Sequence, residues 1–371
     1  MKTNEKLYRS LWMNNGDKES IQIIDQRYLP FERVTRRLKT PEDVYNAITK
    51  MQVRGAPLIG VTAAFGVYLA YLYFKSDPNR ESKVKKTIQK IQQARPTAVN
   101  LQAAIQFQLK HLFEIESYNQ KITTAYQNAV SFMDLEIESC RKIGEFGLPL
   151  IEAVYNQHPS RPVQILTHCN AGWLATIKWG TALAPVYLAH KNNIPVHVWV
   201  DETRPRNQGA RLTTWELCQA DVPYTLIADN TGGLLMQQGK VDIVITGSDR
   251  TALNGDTANK IGTYLKALAA RDTGTPFYVA LPTSSIDQTL NSGKKIPIEQ
   301  REEEEVTWLT GSTTSGTIEK IHIVPDGTPV QNYGFDITPA RLINGLITER
   351  GICKAQKSEI IKLFSKKTET P

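Results

Sequence analysis

From residue 163 onward the chain repeats one rhythm: a short β-branched apolar run ending in polar residues, then a stretch of helix-like composition, then another run. The runs fall at 163–168, 195–200, 224–228, 241–246, 277–281 and 320–324, and the helical stretches at 171–190, 209–219, 232–238 and 259–271. Near-continuous apolar strands separated by helices predict a parallel sheet covered on both faces. No internal repeat accompanies the rhythm.

The half before it has a different texture. The turn-rich Asn14-Asn15-Gly16-Asp17 leads into a short predicted strand at 22–26. Thr40-Pro41-Glu42-Asp43 then reads as a capped helix start, with Thr40 as N-cap, proline at the first helical position and an acid three residues after the cap. Helical patterns follow to about Met51, over 56–74, over 83–94, from about 101, and through 109–147. The texture changes at His158-Pro159-Ser160-Arg161-Pro162. With 371 residues, about two domains are expected: an α-rich N-terminal one at 1–158 and an α/β one with a parallel sheet at 159–371. The stretch 56–74 is long enough to span a bilayer, but Pro57, Thr62, two glycines and three tyrosines mark it as a core helix.

Composition narrows the class. Hydrophobic residues at 41% and charged residues at 22% exclude a mostly disordered chain. The formal charge of +7 is spread out, with small clusters at Lys83, Lys85 and Lys86 and at Lys354, Lys357, Lys362, Lys366 and Lys367. Without interleaved aromatics these are solvated faces, so no nucleic-acid partner is expected. The four cysteines lie far apart, with no CxxC pair and no Cys/His ligand spacing. Reduced thiols, no metal and a cytoplasmic location are the expectation. The opening MKTNEKLYRSLW is too polar for a signal peptide. Residues 300–317, acidic and then rich in Ser, Thr and Gly, read as a solvated, mobile loop.

In an open α/β sheet, ligands bind beyond the carboxyl ends of the strands. Those ends carry Thr167-His168-Cys169-Asn170, Asp201-Glu202-Thr203-Arg204, Asp229-Asn230, Gly247-Ser248-Asp249-Arg250 and Pro282-Thr283-Ser284-Ser285. Polar groups at every end point to a sugar-like or phosphorylated ligand. Cys169, between a strand and a predicted helix start, is placed for its thiolate to be favoured. His168, facing the other way on a strand, reads as structural. Asp249 is a general-acid candidate if desolvation raises its pKa, the alternative being an ion pair with Arg250. Asn254-Gly255-Asp256-Thr257 reads as a turn and cap leading Asn259 and Lys260 into a first helical turn. Upstream, Arg54 and the small Gly55 and Ala56 precede a helix whose first turn holds Pro57, a way to bring a phosphate to backbone amides. Arg95-Pro96-Thr97-Ala98-Val99-Asn100 is an extended segment able to reach the same cleft. GxGxxG, Walker, Ser-His-Asp and HExxH patterns are absent.

Arg54-Gly55-Ala56-Pro57, RPTAVN at 95–100, THCNAG at 167–172, DETRPRNQGARLT at 201–213 and GSDR with NGDTANKIGT across 247–263 together resemble the methylthioribose-1-phosphate isomerases. These enzymes sit within the wider translation initiation factor 2B alpha/beta/delta-related family. The resemblance runs from about residue 21 to about residue 352. It implies an α-rich N-terminal domain, a Rossmann-like C-terminal domain, a homodimer, no metal or cofactor, and a place in methionine salvage. By it, Cys169 and Asp249 match the catalytic pair, and Arg54, Gly55, Ala56, Arg95, Gln208, Asn259 and Lys260 match substrate-binding positions. The implied reaction turns 5-methylthioribose 1-phosphate into 5-methylthioribulose 1-phosphate. Ser248, the Glu299-Gln300-Arg301 run, the extended Thr310–Gly316 loop and Asn332-Tyr333-Gly334-Phe335-Asp336 depart from the family pattern, and all but Ser248 read as peripheral to the cleft. Two alternatives share the fold: an isomerase of ribose 1,5-bisphosphate or 5-deoxyribose 1-phosphate, and a non-catalytic regulatory subunit of the initiation-factor type.

Overall fold

The computed structural model describes residues 9–95 and 99–365. Pro96, Thr97 and Ala98 of the 95–100 motif, Met1 to Tyr8, and the tail lysines Lys366 and Lys367 lie outside the described residues.

Among the described residues the central sheet has seven strands. Their spatial order is Gly351–Cys353, Gly345–Thr348, Phe277–Ala280, Ile243–Thr246, Val163–Thr167, Val196–Asp201 and Tyr224–Ile227. All pairs are parallel except the one made by Gly351–Cys353. Counted along the chain, the parallel strands stand in the order 3-2-1-4-5-6. That is a doubly wound α/β sheet, and its direction of winding reverses between Val163–Thr167 and Ile243–Thr246. The reversal opens a crevice beyond their carboxyl ends, where Cys169 and Asp249 follow.

Five of the six predicted runs enter this sheet. The sixth does not: Ile318–His322 pairs antiparallel with Trp308–Ser312 in a separate hairpin, and the remaining parallel strand is Gly345–Thr348. The Ser/Thr-rich stretch read as a loop is thus a short helix, Glu304–Thr307, followed by that hairpin. The predicted helix over 171–190 is also interrupted. A single 3-10 turn, Trp173–Ala175, precedes Trp179 and Gly180 at positive φ, and the α-helix begins only at Ala184.

Asn259 and Lys260 are the larger correction. They lie not in a helical turn but on the strand Thr257–Lys260, which pairs with both Arg250–Ala252 and Phe335–Thr338. Residues 254–256 turn one strand into the next rather than capping a helix, and the helix starts at Thr263. Local composition favoured a helix here. Pairing with a strand about 75 residues downstream overrides it.

The helical region is built largely as its patterns indicated. Thr40 Oγ1 accepts from Asp43 N at 3.1 Å, and Asp43 Oδ2 accepts from Thr40 N at 2.9 Å, closing a capping box on the helix Pro41–Thr49. The helix Ala56–Tyr73 is long and apolar enough to cross a membrane, yet 89% of it is buried in protein. Every face packs against neighbouring helices, which explains its lack of a polar side. The 40-residue helix Tyr118–Gln157 joins the two halves. Ala125, Ala129, Phe132 and Met133 belong to the helical core, whereas Ile143 and Ile151 join the core beneath the sheet.

Candidate active site

Arg54, Gly55, Arg95, Cys169, Gln208, Asp249 and Lys260 line one cleft at the winding reversal, joined by Met51, Ile59, Arg206, Arg301 and Phe335. Ala56 lines an adjoining cavity that shares Arg95 and Asp249 and adds Ala258, Ile296 and Pro297. Of the sequence-selected residues, Asn259 is not among the lining groups. It is buried beside Lys260, and its amide donates to Thr263 Oγ1 at 3.0 Å.

Each side chain is placed by a local device. Gly55, at φ 91°, caps the helix Ala56–Tyr73, and a Cβ there would stand 2.2 Å from the Ala175 carbonyl oxygen. Only glycine allows this approach. Cys169 takes a left-handed conformation, φ 66°, just past the strand end. Its N–H donates to Thr203 Oγ1 at 2.9 Å and its carbonyl accepts from Thr213 Oγ1 at 2.7 Å. Asp249 N donates to the Ala258 carbonyl at 3.0 Å, tying the acid to the strand that carries Lys260. Ser248 Oγ pairs with Thr251 Oγ1 at 2.9 Å.

The electrostatics are those of a partly dry, cationic cleft. Burial raises the Asp249 carboxyl pKa, against the pull of Lys260, Arg54 and Arg95. Arg250 does not offset it, because Arg250 pairs with Asp287 at 2.6 Å. Burial also raises the Cys169 thiol, against Arg54 and Lys260. The thiolate preference expected from a helix start is therefore overturned. No α-helix follows Cys169 directly, and desolvation outweighs the nearby cations. Lys260, 6% exposed, is pushed down by burial and stands 5.0 Å from the Phe335 ring centroid.

Two groups read as peripheral prove to be part of the cleft. Arg301 lines it and pairs with Glu305 at 2.5 Å and Glu299 at 3.0 Å. Glu299 also reaches Arg95 at 3.4 Å, and Arg206 reaches Glu305 at 2.8 Å. Burial pushes the Glu305 carboxyl up, but Arg301 and Arg206 overcome it and hold the pKa at about 2. Phe335, in the second departing segment, forms a wall. Arg206 was legible inside the 201–213 motif. Arg301 was not, since an acidic run beside it looked like solvated surface.

His168 is a brace, as its position predicted. Its Nδ1 lies 2.8 Å from Asp201 Oδ2 and its Nε2 2.8 Å from the Ile261 carbonyl. His168, Asp201 and Asp229 have metal-like spacing, but Lys266 already occupies this group, 3.1 Å from Asp201 and donating to the Asp229 carbonyl.

A doubly wound α/β protein with a cation-lined, half-apolar cleft at its winding reversal is built to hold a small anionic ligand. The chain belongs to the initiation factor 2 subunit family, whose model matches residues 52–355. A methylthioribose-1-phosphate isomerase of Rhodospirillum centenum is 53% identical over 362 residues, 97% of this chain and 95% of that one. Among solved structures, 5-methylthioribose 1-phosphate isomerase from Pyrococcus horikoshii OT3 is 38% identical with a TM-score of 0.83, covering 98% of this chain and 99% of that one. The translation initiation factor eIF-2B subunit delta from A. fulgidus is 34% identical with a TM-score of 0.79, over 96% and 99%.

Proposed function

We propose that this protein is an aldose–ketose isomerase that converts 5-methylthioribose 1-phosphate into 5-methylthioribulose 1-phosphate in methionine salvage. The observation that carries the reading is the meeting of Cys169 and Asp249 in one cleft with Arg54, Arg95 and Lys260. Relatives of that name at about half identity, aligned over nearly their whole length, support the substrate.

The substrate sets the chemistry. Phosphate on the anomeric oxygen prevents ring opening by ordinary mutarotation, so an acid must protonate the ring oxygen. Asp249, its pKa raised by burial, is that acid. The C1–ring oxygen bond then breaks, leaving a cation at C1 stabilised by the phosphate-bearing oxygen. On one route Cys169, in its minor thiolate form, takes the C2 proton, an enol phosphate forms across C1 and C2, and the thiol returns a proton to C1. On the other, the C2 hydrogen moves with its electron pair to C1. Either way the C2 hydroxyl gives up its proton, replacing the one Asp249 donated, and substrate and product remain isomers.

Arg54 and the amides at Gly55 and Ala56 hold the phosphate, at the start of a long helix. Arg95, Gln208 and Lys260 contact the remaining oxygens, while Asn259, turned to Thr263, lies behind them. Ile59, Ala258, Ile296, Pro297 and Phe335 exclude water beside Asp249. The reading includes a division of the chain at residue 158, a cytoplasmic location and a homodimer. The edge strand Tyr224–Ile227, with Leu226 46% exposed, and Leu234 and Leu265 on nearby helices support the dimer. Sedimentation equilibrium giving the mass of one chain would remove it.

The deciding assay follows purified protein by NMR with 5-methylthioribose 1-phosphate, ribose 1,5-bisphosphate and 5-deoxyribose 1-phosphate in parallel. Rapid ketose formation from the methylthio sugar is expected. Preferential turnover of another sugar would keep the chemistry and change the pathway. Inertness towards all three would leave the regulatory-subunit reading, which the likeness to the initiation-factor structure favours.

A further inference from the structure

Behind Arg54 runs a chain of buried polar groups. Glu216, fully buried in the short helix Thr214–Gln219, accepts four hydrogen bonds. Its Oε1 takes Asn170 Nδ2 at 2.7 Å and Leu174 N at 2.9 Å, while its Oε2 takes Trp173 N at 2.7 Å and the Tyr187 hydroxyl at 2.9 Å. Gly172 makes room for this, since a Cβ there would stand 1.9 Å from Glu216 Oε2.

Carboxylate oxygens facing donors dictate the polarity of the next link. Asn170 must turn its nitrogen to Glu216 and Thr213 Oγ1, the latter at 3.3 Å, and its oxygen away from them. That oxygen accepts from Arg54 Nη1, and the Asn170 main-chain oxygen accepts from Arg54 Nη2 at 2.7 Å. The guanidinium is thereby held as a two-pronged fork with Nη2 4.0 Å from Cys169 Sγ. A reversed amide would set its NH2 against the guanidinium, donor facing donor.

We propose that Asn170, oriented by Glu216, is a positioning residue that clamps Arg54 beside Cys169 and so shapes the anion pocket around the thiol. The clamp rests on the reading of Cys169 as a reacting group but extends it to residues that touch no substrate. Arg54, Lys260 and Asp249 are the charged groups that face the thiol. Of the two cations, Arg54 depends on the clamp, whereas Lys260 is held by its own strand.

The test measures iodoacetamide alkylation of the full chain across pH by peptide mass spectrometry, with exposed Cys218 as the internal reference, alongside KM for 5-methylthioribose 1-phosphate. Asn170→Ala is expected to raise the Cys169 alkylation midpoint by about one pH unit, because a nearby cation is no longer held in place. The Cys218 midpoint stays put, and KM rises about tenfold as a charge-assisted contact loosens. Glu216→Gln moves both readouts the same way by less, and the double variant goes no further than Asn170→Ala. A folded Asn170→Ala protein with the wild-type Cys169 midpoint overturns the clamp, whatever its turnover. If Asn170→Ala does not fold, Glu216→Gln decides by the same midpoint. A shifted midpoint in a protein that turns over no sugar phosphate would sink the isomerase reading and leave the clamp standing.

Discussion

Asp249→Asn is expected to fold, to bind the sugar phosphate within a few-fold of wild type, and to turn over about a thousandfold more slowly, the range typical of a lost general acid. The amide matches the carboxyl in size but has no acidic proton to give the ring oxygen. The pH dependence follows from the direction of the shift. Burial raises the Asp249 pKa, and the acid works only when protonated, so wild-type kcat/KM falls as pH rises through that raised value. In Asp249→Asn this alkaline limb disappears. Stability moves the other way. A carboxyl whose folded pKa lies above its unfolded value costs stability as pH rises, so the variant's urea midpoint at pH 7 should equal or exceed wild type. Full activity in a folded Asp249→Asn protein would refute the acid assignment.

Cys169→Ser carries the second large effect, again about a thousandfold in kcat. The geometry tolerates the change. The backbone at 169 is held by Thr203 and Thr213, and neither bond involves the sulfur. A serine hydroxyl ionises far less readily than a thiol, so both proton relay and polar stabilisation at C2 weaken. Turnover in heavy water tests the first route. Deuterium at C1 of the ketose marks the enol phosphate, whereas an unlabelled C1 fits both the hydride shift and return of the same proton from a shielded thiol. Wild-type rates in Cys169→Ser would take the thiol out of the chemistry. Cys218→Ser, exposed and away from the cleft, should stay within a few-fold and serves as the control.

What was legible in the chain was local. The Thr40 capping box, the glycine-started helix at 56 and the strand ends at 167 and 246 depend on neighbours in sequence. Gly55 was legible only as a small residue before that helix; its left-handed backbone and its approach to the Ala175 carbonyl belong to the fold. What was misread involved distant partners. Thr257–Lys260 became a strand because Phe335–Thr338 pairs with it, and Gly345–Thr348 joined the sheet because Phe277–Ala280 offered an edge. Arg301 looked like part of a solvated acidic loop until Glu299 and Glu305 fixed it at the cleft.

The sequence by itself determined the alternation of strands and helices, the polar residues at the strand ends and the motifs that carry the family resemblance. Each is written in a periodicity or in a contiguous run of residues. Tertiary structure alone decided that Cys169 stays a raised thiol, that Arg250 leaves Asp249 for Asp287, and that Arg54 is gripped by Asn170, 116 positions away in the chain. Burial, dielectric surroundings and hydrogen-bond polarity depend on which groups the fold packs together, and no short stretch of sequence encodes that.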